Sequence, residues 1–97
     1  MHIITKRRIV EGKVAYPQYA SALDGWYKII NNNVLNNFAD LKTSFNSVDK
    51  VGNLYVFDLG GNKLRLIASI HFNPQKIYIR HILTHKEYDK GDWRNET

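Results

Sequence analysis

The sequence predicts an α+β fold in which a short N-terminal strand (Met1–Thr5) and two or three helices pack on an antiparallel sheet of about four strands. In the first half of the chain, apolar residues recur at three- and four-residue steps, as on one face of a helix. In the second half they alternate with period two, between short turns rich in glycine and asparagine. The length of 97 residues suits one domain spanning 1–97.

The helices are expected in the first half of the chain. Thr5 is a candidate N-cap for a helix over 6–15, and Pro17 ends that helix. A second helix fits 18–32, where the apolar side chains share one face. A short third helix is expected to open at Asn37 or Asp40.

Three strands are expected in the second half, joined by tight turns. Leu54–Leu59 is followed by the turn Gly60–Asn62, whose residues accept positive φ. The next strand is Lys63–Phe72, and the turn Asn73–Gln75 leads into the last strand, Lys76–Leu83. Short turns of this kind predict antiparallel pairing.

Alternation assigns the two faces of the middle strand. The face expected to meet the helices is entirely apolar: Leu64, Leu66, Ala68, Ile70 and Phe72. The other face has Lys63 and Arg65 at one end. Because no further helix is predicted, this second face is expected to be open, either to solvent or as the working surface.

The last strand runs into a dense group of polar and aromatic side chains between Thr84 and Trp93. Antiparallel pairing places the end of one strand beside the start of the next. His85 is therefore expected near the turn at Asn62 and Lys63. Trp93 is expected to anchor the tail against the core.

Composition limits the classes of function. Fourteen Lys and Arg against nine Asp and Glu give a formal net charge of +5, which suits an anionic partner such as nucleic acid. The chain has no cysteine, which excludes disulfides and cysteine nucleophiles. Its four histidines are scattered, so no metal site and no cofactor are predicted. Without a signal peptide or a membrane-spanning run, the protein is expected in the cytoplasm.

Several runs of sequence form a family signature. They are the hairpin Tyr55–Arg65, the strand segment Tyr78–Arg80, the C-terminal motif Thr84–Lys90 and the opening Met1–Ile4. Together they resemble HigB-type toxins of type II toxin–antitoxin systems, in the RelE-like mRNA interferase superfamily. The resemblance implies a RelE-like two-layer fold. It also implies metal-independent cleavage of mRNA, commonly on the bacterial ribosome, and a cognate helix-turn-helix antitoxin that neutralises the toxin.

The resemblance extends to single residues. Arg65 matches the family's sheet arginine and Tyr88 its C-terminal tyrosine. His85 and Lys86 occupy the region where other members have basic residues, and the histidine is the departure from the family pattern. Cleavage by 2′-hydroxyl attack needs a base, cations for the pentavalent oxyanion and an acid for the 5′-oxygen. The predicted catalytic residues are Arg65, which stabilises the phosphorane, and His85 and Tyr88, either of which moves protons.

Three further cations are candidates for RNA binding: Lys63, Arg80 and Lys86. Tyr88 has the alternative role of stacking on a splayed base. Each residue also has a plainer interpretation, such as a solvated arginine, a histidine that caps a turn, or a tyrosine over the sheet edge. Two rival functions therefore stay open: a non-catalytic RNA- or ribosome-binding module that uses the same basic face, and a protein-interaction module.

Overall fold

The computed structural model describes residues 1–96, and within them the alternating second half of the chain forms most of a five-stranded sheet. The strands are β1 (His2–Ile3), β2 (Asp49–Val51), β3 (Leu54–Leu59), β4 (Leu64–His71) and β5 (Lys76–Thr84). The α-helices are α1 (Lys6–Ala15), α2 (Ala20–Asn32), α3 (Phe38–Ser44) and α4 (His85–Lys90), and 3₁₀ segments cover Pro17–Tyr19 and Asp92–Glu96. The predicted α+β class is confirmed.

The sheet is mixed, with the strand order β1-β5-β4-β3-β2. Strands β3 to β5 pair antiparallel, as predicted, and β2 also pairs antiparallel to β3, but β1 pairs parallel to β5. The prediction of a wholly antiparallel sheet of about four strands was therefore wrong. Most of the chain separates β1 from β5, so no tight turn forces an antiparallel pair. β2 was not predicted because its three residues are too few to show a clear alternation of apolar and polar side chains.

The helical layer follows the predicted periodicity closely. The helix over 6–15 is confirmed, and the second helix begins two residues later than predicted because Pro17–Tyr19 forms a 3₁₀ turn. α3 opens at Asn37, whose side chain accepts a hydrogen bond from the backbone N–H of Asp40. Gly12 lets α1 approach the sheet, because a Cβ at that position would lie 2.9 Å from Cδ1 of Ile82.

Thr5 joins the first helix to the sheet. It occupies the N-cap position of α1, as predicted, but its side chain makes no capping hydrogen bond. Its hydroxyl oxygen instead accepts a hydrogen bond of 2.6 Å from the backbone N–H of Ile79 in β5. The start of the helical layer is thereby tied to a central strand.

The main core lies between the helices and the first face of the sheet. Leu64, Leu66 and Ala68 are buried in it, and Ile70 and Phe72 pack against its edge, so the predicted core face of β4 is confirmed. Aromatic rings fill the centre: Trp26, Phe45 and Phe57 meet edge to face. This cluster contains most of the buried apolar surface of the described residues.

The second face of the sheet is covered, which corrects the expectation of an open face. α4 follows β5 directly and the tail then turns back, so that Trp93 packs with Leu54, Val56 and Ile67 in a smaller apolar cluster. The predicted role of Trp93 as a tail anchor is confirmed for this face. The covering was missed because α4 has no apolar periodicity and is only six residues long.

Candidate active site

Arg65 lies at the centre of the candidate site. It projects from β4 onto the second face, with Asp58 of β3 and Leu83 of β5 as its cross-strand neighbours. Its Nε lies 2.9 Å from Oδ1 of Asp58, and its Nη1 donates to the carbonyl oxygen of Asn62 at 2.8 Å. Arg65 is only 8% exposed. The side chain expected on an open surface is thus nearly enclosed and held in one orientation.

The β3–β4 turn helps to fix that orientation. Gly60, Gly61 and Asn62 all have positive φ, as their residue types predicted. A Cβ on Gly60 would lie 2.8 Å from Cδ1 of Tyr19, so the turn packs closely on the helical layer. The turn therefore holds the Asn62 carbonyl where it accepts from Arg65.

His85 is the first residue of α4 and contacts Arg65 directly. Its Nδ1 lies 3.1 Å from Nη2 of Arg65, and its Nε2 lies 3.3 Å from Oδ2 of Asp89, one helical turn later. A guanidinium has only donors, so Nδ1 must accept and the proton of the neutral imidazole belongs on Nε2. The backbone N–H of His85 donates to the Lys63 carbonyl at 3.2 Å, which confirms the predicted proximity of His85 to the turn.

A capping box starts α4 and so places His85. The Thr84 hydroxyl accepts from the backbone N–H of Glu87, and the Glu87 carboxylate accepts from the backbone N–H of Thr84. Hydrogen bonds from Thr84 and Tyr16 lower the pKa of Glu87, with the Thr84 backbone the largest cause. Burial and the neighbouring Glu87 carboxylate raise the pKa of Tyr16, whose hydroxyl lies 3.1 Å from Glu87 Oε1.

Tyr88 completes the group of predicted catalytic residues. Cζ of Arg65 lies 5.3 Å from the centroid of the Tyr88 ring, a cation–π distance. The same ring stacks on Trp93, with centroids 5.0 Å apart and planes 16° from parallel. The ring face that meets Trp93 is therefore not available to a base.

The structure brings the three predicted catalytic residues together, and two of the three predicted RNA-binding residues lie beside them. Lys63 is exposed in the turn, and Lys86 is exposed in the first turn of α4. Arg80 lies elsewhere, at an irregularity in the pairing of β4 with β5, beside Asn53 and Ser69. The separation of four residues along β5 from Arg80 to Thr84 corresponds to about 13 Å of strand. Arg80 is therefore not part of the cluster around Arg65.

The sequence reasoning missed two carboxylates in the site. Asp58 was detectable from the predicted hairpin, since residues equally distant from the turn pair across the two strands. Asp89 was detectable only after α4 had been recognised, because its contact with His85 depends on the four-residue helical spacing. Within residues 1–96, no cluster of three or more His, Asp or Glu side chains is arranged to hold a metal ion.

Comparison with known proteins places this chain in a family. A sequence model of HigB_toxin, described as the RelE-like toxic component of a toxin–antitoxin system, matches residues 19–91. The chain belongs to this HigB toxin family. The mRNA interferase toxin HigB of Escherichia coli strain K12 is 39% identical over 92 residues, which cover 92% of this chain and 88% of that protein.

Other relatives agree with this assignment. The mRNA interferase HigB of Shigella flexneri is also 39% identical over 92 residues, with the same coverage of both chains. The mRNA interferase HigB of E. coli O6:H1 is 38% identical over 93 residues, which cover 93% of this chain and 90% of that protein. Four α-helices on a five-stranded mixed sheet agree with the RelE-like fold expected of such a family. No helix in residues 1–96 has the length and apolar character needed to cross a membrane.

Proposed function

We propose that this protein is an endoribonuclease toxin that cleaves mRNA without a metal ion and thereby inhibits translation. The relatives named mRNA interferase support the reaction and its substrate. The observation that supports catalysis over simple binding is the direct contact between Arg65 and His85. A cation and a proton acceptor side by side are what cleavage by an internal nucleophile requires.

The proposed reaction is attack of a ribose 2′-oxygen on the adjacent phosphorus. The new 2′-O–P bond forms as the P–O5′ bond breaks, which leaves a 2′,3′-cyclic phosphate and a free 5′-hydroxyl. One proton leaves the 2′-hydroxyl and one reaches the departing 5′-oxygen, so the step needs no external reactant. The protein must supply a base, an acid and stabilisation of the pentavalent phosphorane.

Arg65 suits the stabilisation of charge because its position is set before substrate arrives. Its contacts with Asp58, with the Asn62 and Leu64 carbonyls and with His85 use at most four of its five N–H groups. The remaining N–H is on Nη2, next to His85, and can donate to a phosphate oxygen. A donor that needs no reorganisation stabilises developing charge most effectively.

His85 suits the role of base. In the neutral tautomer its Nδ1 is the acceptor and its Nε2–H donates to Asp89. A 2′-hydroxyl that enters beside Arg65 can donate to Nδ1 by replacing the Nη2–H of Arg65, which then turns to the phosphate, and the Asp89 carboxylate stabilises the imidazolium. The phenol of Tyr88, held next to Arg65, is the proposed acid. The exposed Lys63 and Lys86 attract the flanking phosphates.

The decisive experiment is cleavage of a 5′-labelled mRNA by the purified protein, with and without translating bacterial ribosomes, mapped by primer extension. Mg²⁺ is kept in the series with ribosomes, which need it to stay assembled, and EDTA replaces it in a parallel series on free RNA. We expect any cuts in free RNA to persist in EDTA, and all cuts to disappear in Arg65→Ala and His85→Ala. Arg7→Ala, which removes the same charge from an exposed position on α1, is the matched control.

A folded protein that binds RNA or ribosomes but never cleaves would favour the non-catalytic binding module instead. The feature that fits that alternative is the ion pair of Arg65 with Asp58, since a nearly enclosed arginine can serve structure alone. Dependence of the cuts on ribosomes would support the ribosome as the site of action.

The proposal includes the biological setting. The protein acts in the cytoplasm, as one domain over residues 1–97, and a cognate helix-turn-helix antitoxin binds and neutralises it. Membership of a toxin–antitoxin family supports the partner. Induced expression should arrest bacterial growth, and co-expression of the cognate antitoxin should restore it. If cells grow normally while they produce folded wild-type protein at high yield without a partner, the toxin assignment is contradicted.

A further inference from the structure

The segment after α4 packs against the candidate active site. Gly91 has φ 78° and ends α4 in the left-handed conformation, which turns the chain back over the sheet. Trp93 then packs on the second face beside Val56 and Ile67 and is only 3% exposed. Trp93 lies beyond residues 19–91, the part of the chain that the HigB toxin family matches.

Trp93 contacts Tyr88 in two ways. The two rings are stacked with their centroids 5.0 Å apart, and Nε1–H of Trp93 donates to the carbonyl oxygen of Tyr88 at 3.0 Å. The Tyr88 ring in turn lies 5.3 Å from Cζ of Arg65. Trp93, Tyr88 and Arg65 therefore form one continuous series of contacts.

α4 needs support of this kind. It has six residues and none of them is buried. A helix this short is not stable by itself, and its position depends on tertiary contacts. The capping box fixes its first turn at Thr84, whereas the contacts of Trp93 fix Tyr88 near its end.

We propose that Trp93 is a positioning residue that holds Tyr88 against the guanidinium of Arg65 and so sets the rate of RNA cleavage. The inference rests on the proposed function for its effect on rate. Trp93 does not meet the reacting atoms; it acts through Tyr88. A displacement of about 1 Å at a reacting group can lower a rate by about 100-fold.

The test compares variants at Trp93 with a matched control in the same apolar cluster. Trp93→Met keeps an apolar side chain but removes the ring, and Trp93→Phe keeps a ring but removes the Nε1–H donor. Val56→Ala makes a cavity beside Trp93 without removing either contact with Tyr88. Trp93→Leu replaces Trp93→Met if the latter does not fold.

Single-turnover cleavage is measured with protein in excess, at a temperature where circular dichroism shows every variant folded. We expect Trp93→Met to lower the maximal rate by about 10- to 100-fold and Trp93→Phe by about threefold or less. Binding of uncleavable RNA should stay unchanged, and so should the rate of Val56→Ala. An equal loss in Val56→Ala would assign the effect to general stability and overturn the proposal.

A second readout does not depend on cleavage. The Nε–H resonance of Arg65 and the ring protons of Tyr88 sense the neighbouring aromatic faces in NMR spectra. The Tyr88 ring protons shift in Trp93→Met from loss of the stacked indole alone, so the Arg65 resonance is the test of positioning. It should move in Trp93→Met and stay near its wild-type position in Val56→Ala, and an unchanged Arg65 resonance in Trp93→Met would overturn the proposed positioning. If the wild type does not cleave RNA, the proposed function fails, and the Arg65 resonance alone decides whether Trp93 positions the two residues.

Discussion

The two faces of the sheet are built in different ways. The first face packs against three helices through a large apolar cluster that contains the rings of Trp26 and Phe57. The second face has a smaller apolar cluster, completed by Trp93 from the tail, and beside it lies the nearly enclosed Arg65. The comparison indicates that the two faces have different roles. Burial on the first face supplies most of the stability, and polar contacts on the second face position the candidate catalytic residues.

The largest contrast is expected between two neighbours in β4 that point to opposite faces. Arg65→Ala should lower the maximal cleavage rate by about 100- to 1,000-fold, because it removes the preorganised donors. Leu66→Ala should lower the free energy of unfolding by about 2–5 kcal/mol, because Leu66 is fully buried. Cleavage per folded molecule should be unchanged in Leu66→Ala. Single-turnover kinetics and urea unfolding of both variants measure the two effects.

If Leu66→Ala slowed cleavage per folded molecule as strongly as Arg65→Ala, the separate roles of the two faces would be contradicted. Arg65→Lys tests whether the charge of Arg65 alone is sufficient. A lysine keeps the charge but not the planar fork that reaches Asp58, Asn62 and His85 together. We expect Arg65→Lys to recover only a small part of the rate.

The next effect concerns the partner of Arg65. Asp58→Ala leaves the Arg65 Nε–H without its acceptor, and an unsatisfied buried donor costs about 1–3 kcal/mol of unfolding free energy. The cleavage rate should fall by about tenfold as the guanidinium loses its orientation. Asp58→Asn keeps an acceptor oxygen and should therefore lose less unfolding free energy and less of the cleavage rate. Equal losses in the two variants would show that charge, not orientation, is what Asp58 provides.

A smaller effect is expected at the start of α4. Thr84→Ala removes the hydroxyl that accepts from the Glu87 backbone N–H, and loss of such a cap costs about 1 kcal/mol. His85 is the first residue of this helix, so the cleavage rate should fall several-fold with little change in RNA affinity. Thr84→Ser, which retains the hydroxyl, is the control. A wild-type rate in Thr84→Ala would show that the Lys63 carbonyl and the tail suffice to place His85.

The smallest effect is a dependence of stability on acid pH. The pKa of Glu87 is lowered in the folded protein from an ordinary value of 4.5, so its carboxylate stabilises the fold above that pH. This contribution is lost as the pH falls from about 4.5 through the lowered folded-state pKa. Glu87→Gln retains a capping side chain but does not titrate.

Thermal unfolding of the wild type and of Glu87→Gln between pH 3 and pH 7 measures this contribution. The difference between the two proteins should shrink as the pH falls. A difference that stays constant over this range would contradict a role for the Glu87 charge.

Much of the fold could be predicted from the sequence because its signals are local. The period of the apolar residues distinguishes helices from strands, and Gly60–Asn62 specifies a tight turn. The hairpin and the core face of β4 followed from these signals, and so did the approach of His85 to the turn. Arg65, His85 and Tyr88 were also predicted as site residues from their residue types and from the family resemblance, and the structure brings them together.

The rest was decided by contacts between distant parts of the chain. The parallel pairing of β1 with β5 joins opposite ends of the sequence. The cover on the second face depends on Trp93 reaching Ile67, which no local period encodes. The enclosure of Arg65 between Asp58 and α4 follows from that cover. Local sequence thus determined the helices and strands and the chemical groups that they carry. Burial determined how those groups are held, because it depends on tertiary contacts between residues distant in sequence.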